Sequence, residues 1–105
     1  MKYEFQPDDR VLVLDAADYG AARLREWAQL LTRGMMVGLG DADAIRTARR
    51  ELADCENVMF IQGSRDGIPW RDGFFSVVVD AAGGPPPDEV RRVLHPSGRI
   101  YSIQP

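Results

Sequence analysis

The chain has 105 residues, with 13 basic and 16 acidic side chains, a net charge of −3 and a pI near 5.0. Apolar residues make up 45% and charged residues 28%, the balance of a soluble globular protein, which excludes disorder and collagen-like repeats. The length predicts one small domain, and the acidic balance argues against a nucleic-acid partner.

The single cysteine, Cys55, excludes a disulfide within the chain and any Cys-based zinc site. The opening residues, Met1 to Asp9, hold no apolar run of the signal-peptide kind. No stretch approaches the ~20 apolar residues of a spanning helix, so the expected location is the cytoplasm, with no membrane partner.

Val11-Leu-Val-Leu14 is a continuous apolar run, as in a strand buried on both faces of a parallel sheet. Asp18 is read as the cap of a first helix, whose Leu24, Trp27, Ala28 and Leu31 form an i, i+3, i+4, i+7 stripe ended by Gly34. Met35 to Leu39 reads as a second strand. Asp41 or Asp43 starts a second helix with Ile45, Ala48 and Leu52 on its buried face. Asn57 to Gln62 is a third strand. Ser64 to Gly73 is a polar connection without helical periodicity, and Phe74 to Val79 is a fourth strand. Asp80 to Pro87 forms a loop. Pro87, Asp88 and Glu89 suit the first turn of a last helix, with Val90, Val93 and Leu94 buried. His95 to Gly98 ends that helix, His95 capping its carboxyl end, and Arg99 to Ile103 is a fifth strand.

This alternation predicts a doubly wound α/β fold, an open parallel sheet with helices on both faces. Ligands of such sheets bind outside the carboxyl ends of the strands, where strand order reverses. The candidate positions are therefore residues 15–20, 40–43, 64–66 and 80–84. Elsewhere the simplest readings are structural. Trp70 covers the core edge, Cys55 is a small inert residue, and residues 83–87 are a stiff connector. Asp80 satisfies nearby backbone amides, and Arg46, Arg49, Arg50, Glu51 and Asp54 form a solvated helix face. One histidine supports no Ser/His/Asp or Cys/His arrangement, and neither a GxxxxGK nor a GxGxxG motif is present.

Several segments in order carry a resemblance. They are Val11 to Gly20, Val37-Gly-Leu-Gly-Asp41 with Ala48-Arg49, Asn57 to Gly63, Ile68-Pro69, Asp72-Gly-Phe-Phe75, and Glu89 to Arg99. Together they resemble the core of class I S-adenosylmethionine-dependent methyltransferases, over residues 10 to 103. The resemblance implies a Rossmann-like sheet in the order 3-2-1-4-5. It also implies an S-adenosylmethionine crevice near Asp15, Ala16, Ala17, Gly20, Gly40, Asp41, Ser64, Arg65 and Asp80.

The departures point away from catalysis. The family's loop glycines fall on Asp15, Ala17 and Tyr19, and Asp15 would set a carboxylate near the cofactor's own. The family's acid in the first strand is Val13 here. Its ribose-binding acid falls on Gly40, with Asp41 one residue away. Its adenine-binding acid is Ser64, and its Phe-Asp pair reads Phe75-Ser76. Each lost charge-assisted hydrogen bond is worth roughly 1.5–3 kcal/mol, so losing two weakens binding by about two to four powers of ten.

The expectation is one domain over residues 1–105 without the family's C-terminal strands. Its fifth strand would be an edge, with Ile100, Tyr101 and Ile103 poorly covered and available for homodimer pairing. The functional expectation is a methyltransferase-like domain with a degraded cofactor site, serving as a structural or regulatory partner. The alternatives are a minimal active methyltransferase completed by oligomerisation, and a pocket recycled for another adenosine-containing molecule.

Overall fold

The computed structural model describes residues 4–105. Among them are five strands, β1 (Arg10–Val13), β2 (Met35–Gly40), β3 (Val58–Gln62), β4 (Phe75–Val79) and β5 (Leu94–Tyr101). They form one sheet in the order β3-β2-β1-β4-β5, every neighbouring pair parallel. The helices are α1 (Ala21–Leu30), α2 (Ala42–Glu51) and α3 (Asp88–Val93). The fold class and the strand order are those expected.

The apolar runs are buried on both faces because helices and loops cover both. Val11 and Val13 of β1 join α1, α2, Val77 and Val79 in one core. Leu12 and Leu14 alternate into the other, with Phe75, Val78, Ile68 and the Val90 and Val93 pair of α3. The stripe of α1 is buried at Leu24 and Ala28, as is Leu31 just after it. Trp27 is half-buried against Phe5 and Tyr19. On α2, Ile45 and Ala48 are buried, as is Leu52 just after it.

Three local expectations are corrected. Asp18 caps no helix. It lies inside a 3-10 turn, Ala16–Tyr19, and α1 begins only after Gly20, whose φ of 86° suits glycine. His95 does not cap α3, which ends at Val93. Its Nδ1 accepts from the Ser97 backbone N–H at 3.0 Å, within an irregular stretch of β5. There Phe75 pairs with Leu94 and Val77 already with Arg99, so residues 95–98 bulge out of the ladder, a place where Pro96 is tolerated. Last, the fifth strand is better covered than expected. Ile103 is buried and Tyr101 half-buried, leaving Ile100 exposed at 37%.

The connection from β3 to β4 contains no helix, so side chains from α3 must fix it. Glu89 Oε1 accepts from the Ile68 backbone N–H at 2.9 Å. Arg92 donates to the carbonyls of Ile68 and Trp70 and to the carboxylates of Glu89 and Asp72. The Arg92 hydrogen bond, then the Ile68 amide, hold the Glu89 carboxyl down at about 2. A depressed carboxyl stabilises the fold above its unfolded value near 4.5 and loses that contribution as pH falls toward 2. The melting-temperature gap between the wild-type chain and Glu89→Gln should therefore be full at pH 6 and shrink steadily below pH ~4.5. A gap that does not change down to pH ~2.5 in thermal melts would refute that role.

Candidate functional site

At the carboxyl end of β1 the chain turns sharply. Asp15 holds φ 51° and ψ 50°, the sole positive φ outside glycine among the described residues. A side chain there costs about 1 kcal/mol, though aspartate tolerates it better than most. The backbone thus follows a glycine's path at a position where the resemblance expects glycine. Ala16 drops into the core beneath the turn. Ala17 stays exposed and, with Ala21, Leu24, Asp43 and Thr47, lines a groove of about 310 Å³ between α1 and α2.

Tyr19, which the resemblance aligns with a third glycine, turns into the core. Its ring is buried against Trp27, and its hydroxyl donates to the Ile103 carbonyl at 2.6 Å. Burial raises its pKa, so the phenol stays a donor at neutral pH. That bond anchors the segment after β5 across the sheet, with Arg23 donating to the Gln104 carbonyl beside it.

At the end of β2, Gly40 is buried and Asp41 follows directly. Asp41 Oδ1 accepts from the Ala44 N–H at 2.9 Å and caps α2. Its second oxygen is not used by that cap. The end of β3 continues into a tight turn, with Ser64 and Gly67 exchanging backbone hydrogen bonds of 3.3 and 3.0 Å. The Ser64 hydroxyl accepts from the Asp66 N–H of the same turn. Arg65 projects from it and pairs with Asp80, at the end of β4, at 2.8 Å. Asp80 is 8% exposed, and its Oδ1 also accepts from the Ala82 N–H at 3.0 Å.

The predicted site residues therefore do gather at one end of the sheet. Asp15 registers the gathering: burial raises its carboxyl pKa first, then Asp18, with Asp80 and Asp41 adding to the rise and Arg65 opposing it. Sequence reading placed Arg65 and Asp80 here but missed their pairing, which joins residues 15 apart in sequence with no local spacing to announce it. It also missed Asp9, which is 5% exposed at the opposite end of the sheet. Ser76, read only as a lost acid, donates to Asp9 Oδ1 at 2.8 Å. A larger hollow of about 420 Å³, around Arg25, Cys55 and Asn57, also lies at that opposite end. There Arg25 comes within 3.6 Å of the Cys55 sulfur, a neighbour that spacing had not suggested. Trp70 packs on Phe74 and Phe75 as expected of a core cover.

No protein-family model and no curated protein matches the sequence. Solved structures do. The chain is 25% identical to Bacillus subtilis YcgJ over 92% of its own length and 44% of that protein's, with a TM-score of 0.72. A SAM-dependent methyltransferase from Aquifex aeolicus matches at 15% identity, covering 87% of this chain and 53% of that one, with a TM-score of 0.72. A third match is the complex between the Trm112 methyltransferase activator and a methyltransferase candidate from Haloferax volcanii. It shows 21% identity, coverage of 94% and 46%, and a TM-score of 0.75. The chain has the fold of the class I S-adenosylmethionine-dependent methyltransferases. It spans about half the length of the structures it matches.

Proposed function

We propose that this chain is a methyltransferase-fold domain whose cofactor site has been refitted with its own charged side chains. In this reading it works in the cytoplasm as a structural or regulatory partner and does not transfer methyl groups by itself. The observation that carries the reading is Asp15, a carboxylate on the left-handed corner of the first loop. In the family, bare backbone at such a corner lets the cofactor's methionine end approach. Here a carboxylate would face a carboxylate, with Asp18, Asp41 and Asp80 also acting on Asp15 and Arg65 opposing them. S-adenosylmethionine fits this residue set at its ribose only, through Asp41. The test is thermal stability with ligand. A dissociation constant of 1 mM or weaker limits stabilisation at ~1 mM S-adenosylmethionine to about 0.4 kcal/mol. A larger stabilisation would count against the reading.

The second reading, a minimal active methyltransferase completed by oligomerisation, is favoured by Asp41. A carboxylate at the tip of β2 with one oxygen outside its helix cap can take two ribose hydroxyls. Methyl transfer to an added acceptor would select this reading.

For partners, we propose a homodimer of this single 1–105 domain through the β5 edge, where Ile100 is the exposed large apolar side chain. A second kind of protein partner has a precedent in the Haloferax complex. Light scattering should give twice the 11.7 kDa chain mass for the wild type and the single mass for Ile100→Glu. A monomeric wild type at high concentration would exclude the dimer.

A further inference from the structure

The Arg65–Asp80 pair lies where a ligand of this fold would have to pass. Arg65 leaves the sheet after β3 and Asp80 after β4, and β2 and β1 lie between those strands. At about 4.8 Å per strand spacing, β3 and β4 are roughly 14 Å apart. A direct 2.8 Å contact between residues at their tips therefore draws one side across the crevice mouth toward the other. Asp15 and Asp41, on the tips of β1 and β2, lie in the same neighbourhood, since the Asp15 carboxyl feels Arg65, Asp80 and Asp41 together.

Both ends of this contact are built. The Arg65 arm is a closed four-residue turn, tied to the end of β2 through the Gly63 N–H and the Gly40 carbonyl at 3.0 Å. Behind the arm, Ile68 is held by Glu89 and Arg92. Asp80 is fixed by Ala82 through its other oxygen, and its backbone N–H donates to the Tyr101 carbonyl at 2.9 Å. The carboxylate is mostly buried and the guanidinium about one-third exposed, so water screens the pair only in part.

We propose that the Arg65–Asp80 pair is an intramolecular latch across the crevice, which must open before an adenosyl nucleoside can be admitted. This rests on the refitted-site reading above and adds a regulator to the same site. A receptor whose competent state is populated only a fraction of the time loses affinity by that fraction. A latch closed in about nine molecules of ten therefore costs about tenfold.

The test compares the full wild-type chain with Asp80→Asn and Arg65→Ala. Asp80→Asn keeps an oxygen for the Ala82 N–H but removes a crevice carboxylate along with the ion pair, so a gain in affinity counts for the latch only where Arg65→Ala, which keeps Asp80, shows it too. Amide exchange at residues 64–67 reports the arm, and ligand-detected NMR with S-adenosylhomocysteine reports the crevice. Thermal melts confirm that each variant is folded. The expected result is faster exchange at 64–67 and about tenfold tighter binding of the nucleoside in both variants. Raising the salt concentration should move the wild type toward the variants and leave the variants unchanged. Unchanged exchange in both variants overturns the latch. Faster exchange without any gain in affinity overturns its gating role. The two failures are distinguishable: micromolar binding by the wild type counts against the refitted site whatever the arm does. The ratio of variant to wild-type affinity judges the latch.

Discussion

Gly34→Ala is expected to lower stability by about 3 kcal/mol, a fall of roughly 15 °C in melting temperature. The position was read as a helix stop, yet its backbone is not in the left-handed region. Its necessity is steric. A Cβ at Gly34 would sit 2.1 Å from the Asp9 carbonyl oxygen and 3.0 Å from its carbon. Both neighbours are backbone, so no rotamer change can relieve the contact. The next residue, Met35, donates its N–H to the same Asp9 carbonyl at 3.1 Å. Making room therefore parts β1 from β2 at their amino ends, where the register of the central sheet starts. Gly34→Ala melting within a few degrees of the wild type would show that this approach can relax without cost.

Asp9→Ala is expected to cost about 3 kcal/mol, because one buried carboxylate serves three elements. It accepts from the Gln6 N–H at 2.7 Å, from the Ser76 hydroxyl at 2.8 Å and from Arg99 at 3.0 Å. These come from the segment before β1, from β4 and from β5. Ser76 also accepts the Arg10 N–H at 2.9 Å, so losing Asp9 disturbs a relay. Arg99 is partly exposed and can be rehydrated, which keeps the cost below that of a fully buried pair. Asp9→Asn keeps an acceptor of the same shape and should lose about half as much. Denaturant unfolding of the three proteins measures the order, and equal stability of Asp9→Ala and the wild type would contradict it.

Much of the fold was legible because its signals are local. Apolar runs at Val11 to Leu14 and Phe74 to Val79 mark strands buried on two faces, and each helix shows its stripe. Boundaries failed where a local rule met a tertiary demand. Asp18 has the chemistry of a cap, but the left-handed corner at Asp15 spends those residues on a 3-10 turn instead. His95-Pro-Ser-Gly98 reads as a helix stop, but pairing of Leu94 with Phe75 draws it into β5 as a bulge. At the crevice, position was legible and pairing was not. Spacing placed Asp15, Asp41, Ser64, Arg65 and Asp80 on strand tips. Nothing in spacing could say that Arg65 reaches Asp80, or that Tyr19 swings away to Ile103. Those contacts join distant strands and depend on rotamers chosen by the assembled core.

The refitted crevice is tested most directly by calorimetric titration of the wild-type chain with S-adenosylmethionine and S-adenosylhomocysteine, at a known assembly state. Carboxylates at the loop corner and a closed mouth predict no measurable heat from either ligand up to ~1 mM. A micromolar dissociation constant for either would contradict the refitted site. It would turn the search to a methyl acceptor.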